Sequence, residues 1–250
     1  MSLGHLRSLV FTDPLIVLLT IGFGTLSFFA TLFDRSGRLP EKLARMWAHA
    51  LLRAGGVQLR IEGLEKIDPK QKYVFVANHR SYMDIPAVLV SLPLEIRFYA
   101  KQGLFLVPFL GTHLKRAGHL PVARGDARAS VKSMTLGARL IQERSASMLL
   151  FPEGGRSRGP MREFKEGAAY IAIKAGVPAV PLGIAGTRDV LPMGSSYVRG
   201  GPVVLRIGDP IPTAGMKLHD RAQLIARLER QVAELAGEPV PQPVETPRPV

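Results

Sequence analysis

The strongest hydrophobic segment of the chain is residues 14–33, which contain no formal charge. At a rise of about 1.5 Å per residue, roughly 20 apolar residues cross the hydrocarbon core of a bilayer. A cleaved signal peptide is the competing interpretation, but Asp13 precedes the segment and no small-residue cleavage site lies before Asp34. Gly22 and Gly24 would permit a bend, so a spanning helix and a re-entrant or interfacial helix both stay open. The pattern predicts an N-terminal membrane anchor.

Basic residues are distributed unevenly around this segment. Arg7 is the only Lys or Arg before it, whereas four follow it closely, namely Arg35, Arg38, Lys42 and Arg45. Because Lys and Arg beside a membrane helix favour the cytoplasmic side, we expect the rest of the chain in the cytoplasm, at the inner membrane if the source is bacterial.

Residues 39–56 show a helical pattern. Apolar side chains recur at helical spacing on one face: Leu43, Met46, Trp47, Ala50 and Leu51. Such a face suits packing on a globular core and equally suits a membrane surface. Each basic residue near anionic lipid contributes about 1 kcal/mol to the free energy of membrane binding. Residues 1–56 are therefore predicted to form N-terminal membrane-anchoring helices.

Strand-like and helical patterns alternate after residue 56. The predicted strands are 57–63, 73–78, 96–101, 177–186 and 202–211, with a further strand running into a glycine turn at 147–155; the predicted helices are 85–92, 127–144, 166–176 and 218–235. This alternation predicts an α/β domain over 57–236, in which helices cover a mixed or largely parallel sheet. The proline-rich end, 237–250, has no apolar period and is predicted to be disordered.

Composition narrows the class of partner. The 250 residues carry a net charge of +13, which favours an anionic membrane, a phosphorylated substrate or nucleic acid. Aromatic residues make up 7% and no nucleic-acid-binding motif is present, so we expect no nucleic acid. The chain has no cysteine, which excludes disulfides and a thiol nucleophile, and it has no HExxH pattern of a zinc hydrolase.

A histidine and an aspartate lie five residues apart directly after an apolar strand, in the sequence NHRSYMD at 78–84. On a regular helix this spacing separates two side chains by roughly 140°, so His79 and Asp84 meet only if His79 lies in a turn and Asp84 in or near the first turn of a helix. A carboxylate bound to one ring nitrogen leaves the other nitrogen as a base. Considered alone, the pair also fits a solvated turn histidine and a helix N-cap.

A second motif, FPEGGRSRG at 151–159, follows another strand. Gly154 and Gly155 allow backbone N–H groups to approach an anion, and Arg156 and Arg158 offer planar guanidinium groups for phosphate. Considered alone, this motif also fits a solvated turn with two surface arginines.

Together the two motifs resemble those of the glycerolipid acyltransferases, in particular the 1-acylglycerol-3-phosphate acyltransferases. NHRSYMD is similar to the family's N-H-x-x-x-x-D motif, and FPEGGRSRG to its F-P-E-G-T-R-S motif. Between them, KQGLFLVPFLG at 101–111, followed by Arg124, resembles the second motif, and VPAVPLGI at 177–184 resembles the fourth. The four motifs occur in the family order over roughly 40–212.

The resemblance implies a set of roles. His79 is expected as the general base and Asp84 as its partner. Residues expected to bind substrate are Lys101, Arg124, Glu153, Gly154, Gly155 and Arg156 on the phosphate side, and Pro181 on the acyl-donor side. The acceptor alcohol would attack a thioester directly, with acyl-CoA or acyl-carrier protein as donor and no metal or bound cofactor.

Three functions stay open. The chain acylates 1-acylglycerol-3-phosphate to give phosphatidic acid, or it acylates another acceptor such as a lyso-ornithine lipid or another lysophospholipid, or it is a non-enzymatic protein that binds anionic lipid. Lys101, Arg124 and Arg156 favour a phosphorylated acceptor, whereas Gly155, which stands where the family has threonine, keeps the second function open. The intact His79 and Asp84 favour an enzyme.

Overall fold

The computed structural model describes residues 3–34, 37–107, 110–122, 127–143 and 146–241. The strands are β1 Val57–Glu62, β2 Val74–Ala77, β3 Ile96–Lys101, β4 Leu120–Val122, β5 Ser147–Leu150, β6 Ala179–Ala185 and β7 Gly201–Ile207. The α-helices are α1 Leu3–Arg7, α2 Asp13–Phe33, α3 Arg38–Ala54, α4 Asp84–Ser91, α5 Leu110–Arg116, α6 Ala127–Glu143, α7 Gly167–Ala175, α8 Thr187–Val190 and α9 Arg221–Ala236. A π-helical turn, Ser8–Thr12, joins α1 to α2, and 3₁₀ turns occupy Leu64–Lys66, Gln102–Leu106 and Leu218–Asp220.

The strands form one seven-stranded sheet in the order β1-β7-β6-β2-β5-β3-β4. Neighbouring strands are parallel except for β6 and β7, which are antiparallel. The predicted α/β fold with a mixed, largely parallel sheet is therefore confirmed. β4, α5 and α8 were not predicted, because segments of three to seven residues show no periodic pattern of their own.

Helices cover both faces of the sheet. Along β2, alternate side chains point to opposite faces, so Phe75 and Ala77 enter one core while Val74 and Val76 enter the other. The first core lies against α3 and α4, and the second against α6, α7 and α9. Burial on both faces explains why β2 is an unbroken apolar run in the sequence.

The N-terminal apolar segment forms a continuous helix, Gly4–Phe33, that is longer than the hydrophobic stretch itself. Its mean hydropathy reaches 2.1, and only 17% of its most apolar part is buried. Among the described residues it is the one helix long and apolar enough to cross a membrane.

This helix contacts the α/β domain near both ends. Near its start, Ser8 Oγ accepts a hydrogen bond from Val198 N–H at 2.9 Å. Near its end, Thr31 O accepts one from the Arg116 guanidinium at 2.9 Å. The helix therefore lies along the domain rather than projecting from it.

Helix α3 packs on the core, as one of the two interpretations of its apolar face predicted. Ala48, Leu51 and Leu52 are buried, whereas Met46, predicted on the same face, is 48% exposed. The buried face is thus rotated from the predicted one, and α3 is part of the first core.

Arg45 links α3 to the end of α4. Its guanidinium donates to the backbone carbonyls of Leu89, at 2.8 Å, and of Leu92 and Leu94. These carbonyls lie at and beyond the end of α4, where helical partners run out. Arg45 therefore stabilises the end of α4.

The C-terminal segment differs from its prediction at its start. Residues 237–241 belong to the described structure, and Glu238 forms an ion pair with Arg80. The remaining residues of the predicted disordered tail, 242–250, lie outside the described residues.

His119 connects β3 with the segment before β4. Its Nδ1 accepts a hydrogen bond from Phe98 N–H at 3.1 Å, which requires an unprotonated nitrogen. Burial lowers the pKa of His119 to about 3, with smaller contributions from the positive charge of Arg97 and from His113.

We expect His119 to make the stability of the fold depend on pH. An unfolded imidazole has a pKa of about 6.5, so the unfolded chain binds more protons below that pH. The stabilisation is complete above about pH 6.5 and is lost as the pH falls towards 3, with a loss of about 2 kcal/mol between pH 7 and pH 5. Urea unfolding in detergent micelles at both pH values measures it. His119→Asn keeps an acceptor oxygen and should remove most of the difference; the same pH dependence in both proteins would contradict the assignment.

Candidate active site

Three adjacent parallel strands deliver the predicted site residues to one edge of the sheet. β2 leads into the turn 78–83, which contains His79, β5 leads into the loop 151–159, and β3 ends at Lys101. β5 pairs with β2 on one side and with β3 on the other, both in parallel. The carboxyl ends of strands in an open α/β sheet form the crevice in which such folds bind ligands.

His79 and Asp84 are in direct contact. His79 Nδ1 lies 2.8 Å from Asp84 Oδ2, and the two side chains are 9% and 0% exposed. Asp84 is the first residue of α4, as the spacing of the two residues predicted. Because an ionised carboxylate only accepts hydrogen bonds, a neutral His79 ring in this contact carries its proton on Nδ1 and has its lone pair on Nε2.

Asp84 accepts three further hydrogen bonds. Oδ2 accepts from the backbone N–H groups of Arg80, at 2.7 Å, and Ser81, at 2.9 Å. Oδ1 accepts from Thr187 Oγ1 at 2.6 Å. With His79, these donors fix both oxygens of a fully buried carboxylate whose negative charge the N-terminus of α4 also favours.

The loop 151–159 holds His79 in place. The His79 ring stacks on Phe151 with a centroid separation of 3.9 Å and an interplanar angle of 15°. The His79 N–H donates to Glu153 Oε1 at 2.7 Å, and His79 O accepts from Ser157 N–H at 3.3 Å. The loop that follows β5 thus positions both the ring and the backbone of the histidine.

Glu153 uses both of its carboxylate oxygens within the protein. Besides the bond to His79, its Oε2 accepts from Arg162 N–H at 3.1 Å, and the residue is 4% exposed. The structure thus gives Glu153 a role in joining the turn 78–83 to the loop, whereas the predicted contact with substrate stays a prediction.

The two glycines of the loop differ in backbone conformation. Gly154 has φ 76°, in the left-handed region that disfavours a side chain, and its N–H donates to Phe151 O at 3.1 Å. Gly155 has no such requirement, and a Cβ added there would meet only Arg162 Nη2, at 3.6 Å. Within the described part of the chain, Gly155 N–H has no acceptor. A threonine would fit at 155, so its absence alters the chemistry of the loop and not its backbone.

Arg156 lies beside the histidine–aspartate pair. Its Nε donates to Ser81 O at 3.2 Å, and its guanidinium carbon lies 4.1 Å from the centre of the Tyr82 ring. Burial lowers the pKa of Arg156, while the charge of Asp84 raises it. No described residue accepts a hydrogen bond from its terminal nitrogens, so they can serve an anionic ligand.

The remaining predicted substrate residues are Lys101, Arg124 and Pro181. The Lys101 side chain is exposed and has no hydrogen-bond partner among the described residues. Arg124 lies outside the described residues. Pro181 is buried inside β6 opposite Val76, four residues or roughly 13 Å before the strand ends at Ala185. The acyl-donor role of Pro181 stays a prediction that this placement does not support.

Two residues of the site were not assigned a role from sequence. Asn78 ties β2 to β6, since its Oδ1 accepts from Ile184 N–H at 2.8 Å and its Nδ2 donates to Ile184 O at 2.9 Å. A polar residue ending an apolar strand is a signal that could have marked it. Thr187 gave no such signal, because it reaches Asp84 from 103 residues along the chain.

Comparison with known proteins identifies similar sequences. A model of the Acyltransferase family matches residues 58–185. The chain is 36% identical over 187 residues to the chloroplastic 1-acyl-sn-glycerol-3-phosphate acyltransferase BAT2 of Brassica napus, covering 73% of this chain and 54% of the relative. It is 35% identical over 201 residues to the chloroplastic 1-acyl-sn-glycerol-3-phosphate acyltransferase LPAT1 of Arabidopsis thaliana, covering 79% and 54%. The chain thus spans about half the length of these relatives.

A solved structure shares the fold. It is the crystal structure of the 1-acyl-sn-glycerophosphate acyltransferase PlsC from Thermotoga maritima, with a TM-score of 0.77 and 24% identity. The similarity covers 94% of this chain and 97% of the other, so it includes the N-terminal helices as well as the sheet.

Proposed function

We propose a specific reaction for this chain, which belongs to the acyltransferase family. It transfers a fatty acyl group to the free hydroxyl of 1-acylglycerol-3-phosphate and forms phosphatidic acid. The observation that carries the proposal is the 2.8 Å contact between His79 Nδ1 and Asp84 Oδ2, with the Arg156 guanidinium held beside it. The names of the two plant relatives support this acceptor.

The proposed reaction has two steps. The acceptor hydroxyl oxygen bonds to the carbonyl carbon of a thioester as its proton passes to His79 Nε2. The carbon–sulfur bond then breaks, and the departing thiolate takes that proton from Nε2. Asp84 keeps the ring oriented and stabilises the imidazolium between the steps. The donor is acyl-CoA or acyl-carrier protein, and no acyl-enzyme, metal or redox cofactor takes part.

The acceptor phosphate is proposed to bind at the loop 151–159. Arg156 supplies a guanidinium group from whose terminal nitrogens no described residue accepts a hydrogen bond, and Gly155 supplies a backbone N–H. Lys101 and Arg124 are proposed to add positive charge on the same side of the acceptor. Half-buried donors of this kind bind phosphate more strongly than exposed ones, because water competes less.

Replacing Arg156 with alanine is expected to raise the KM for 1-acylglycerol-3-phosphate by roughly 10- to 100-fold, the value of a lost hydrogen bond to a charged group. The kcat should change little. Steady-state rates with the phosphorylated acceptor and with a monoacylglycerol of the same acyl chain measure the effect. Only the phosphorylated acceptor should respond. Arg60→Ala, which removes an exposed arginine of the edge strand β1, serves as control. An equal loss with both acceptors would contradict phosphate binding by Arg156.

A second acceptor is favoured by one observation, the glycine at 155. The acceptor is tested by measuring transfer of a labelled acyl group from CoA or from acyl-carrier protein. Each donor is offered in parallel with lysophosphatidic acid, a lyso-ornithine lipid and lysophosphatidylcholine. Labelled phosphatidic acid supports the proposal, and product from another acceptor alone reassigns the acceptor. No product from any combination, with lipid binding intact, would favour the non-enzymatic function.

Membrane attachment is proposed to run through the helix Gly4–Phe33, with the α/β domain on the cytoplasmic side. Apolar side chains exposed along α2 are Leu15, Val17, Leu18, Ile21, Leu26, Phe29, Leu32 and Phe33. So many exposed apolar residues on one helix are unfavourable in water and favourable in a bilayer. The net charge of +13 adds attraction to an anionic membrane.

A further inference from the structure

The end of α9 is placed over the sheet by close contacts. A Cβ at Gly183 of β6 would lie 2.3 Å from the carbonyl carbon of Leu235, so only glycine allows this approach. The Leu235 carbonyl also accepts a hydrogen bond from the Arg206 guanidinium at 2.8 Å. Gly237 then ends the helix with φ 69°. These contacts determine where the next residue, Glu238, enters the site.

Glu238 contacts the turn that carries the histidine. Its Oε1 accepts a hydrogen bond from Arg80 Nε at 2.6 Å, and its Oε2 pairs with Arg80 Nη2. Oε1 also lies 3.5 Å from Asn78 Nδ2. The Arg80 side chain is 2% exposed, and the Glu238 side chain 21%. A carboxylate from the C-terminal segment thus balances the charge of a buried arginine.

Arg80 connects the two halves of the site. Its backbone N–H donates to Asp84 Oδ2 at 2.7 Å, which places it in the turn around His79. Its Nη1 donates to Gly159 O at 2.7 Å, which holds the far end of the loop 151–159. The position of the Arg80 side chain therefore affects the catalytic pair and the loop that carries Arg156 at once.

We propose that Glu238 is a positioning residue for the reaction proposed above: by holding the Arg80 guanidinium, it keeps the turn around His79 and the loop 151–159 in their reactive arrangement. Without its charge, the Arg80 guanidinium would lose a direct carboxylate contact and keep only the more distant charges of Glu153 and Asp84. Its hold on Gly159 O would then weaken. Small displacements of reacting groups cost much rate, and about 1 Å can cost roughly 10²-fold.

The test compares Glu238→Gln with Glu234→Gln in the full-length protein in micelles. Glu234 is an exposed glutamate one turn earlier on α9, so its replacement removes the same charge outside the site. Two quantities are measured well below the melting temperature. The first is kcat per folded enzyme. The second, which needs no substrate, is hydrogen exchange in peptides that cover the turn 78–83 and the loop 151–159.

Glu238→Gln should lower kcat by about 10- to 100-fold, leave the KM for the acyl donor unchanged, and speed exchange in both segments by at least tenfold. Glu234→Gln should match the wild type. Glu238→Asp, which keeps the charge on a shorter side chain, should give intermediate values and decides the question if Glu238→Gln does not fold. Unchanged kcat, even with a lower melting temperature, would overturn the positioning role, as would unchanged exchange.

The proposal and the reaction can fail separately. A wild-type protein without acyltransferase activity would overturn the proposed function, whereas faster exchange in Glu238→Gln would still support the contact between Glu238 and the turn. An active wild type whose Glu238→Gln variant behaves like Glu234→Gln would overturn the role of Glu238 alone.

Discussion

Replacing His79 with glutamine is expected to lower kcat by about 10²–10⁴-fold, the contribution of a positioned general base. Glutamine is polar and close in size, but it cannot take a proton from the acceptor hydroxyl. The KM for the acceptor should stay near its wild-type value, because the histidine acts mainly in the transition state. Initial rates of transfer from a labelled acyl thioester in micelles measure both constants.

The control for this variant is His219→Gln, which changes a largely exposed histidine on the 3₁₀ turn before α9. It should be as active as the wild type. Because His79 stacks on Phe151, the melting temperature of His79→Gln should be measured as well, and rates compared for folded protein. A folded His79→Gln protein with wild-type kcat would exclude the histidine as the base.

Replacing Asp84 with asparagine should lower kcat by about 10³–10⁴-fold, as in other enzymes that pair a histidine with an aspartate. Asp84 Oδ2 accepts bonds from the His79 ring and two backbone N–H groups, and Oδ1 accepts from Thr187. An amide offers one oxygen and one NH₂ group, so at least one donor is left without an acceptor. The histidine also loses the charge that stabilises its protonated form.

This variant should lose stability as well as activity. A buried donor left unpaired costs about 1–3 kcal/mol, so unfolding by urea should be measured beside kcat. Asp209→Asn, which alters an exposed aspartate paired with Lys66, is the control and should change neither. A folded Asp84→Asn protein with kcat within tenfold of the wild type would contradict the proposed pairing.

The sequence predicted the parts of the fold and of the site that depend on local patterns. β2 and β5 are short apolar runs followed by glycine or polar turns, and both lie where the pattern placed them. The contact between His79 and Asp84 could be predicted, because only a turn followed by a helix start brings residues at that spacing together. The amphipathic pattern likewise identified α3 as a helix.

Contacts between distant segments could not be predicted in this way. Thr187 reaches Asp84 and Glu238 reaches Arg80 over 103 and 158 residues, and neither polar residue stands out in its own segment. The sequence shows the charge of Arg45 but not the backbone carbonyls of α4 to which it donates. Which face of an amphipathic helix is buried, and what its polar residues bind, depends on the packing of the whole chain.

The attachment of the N-terminal helix near both ends, at Ser8 and Thr31, affects how the protein would encounter a lipid. A bilayer that takes up the exposed apolar side of this helix must also touch the domain along which it lies. A lysolipid would then reach the domain by lateral diffusion within its own leaflet, without entering water. Under the proposed attachment and acceptor, the search would become two-dimensional. The rate would then follow the mole fraction of lysolipid in the membrane rather than its concentration in solution.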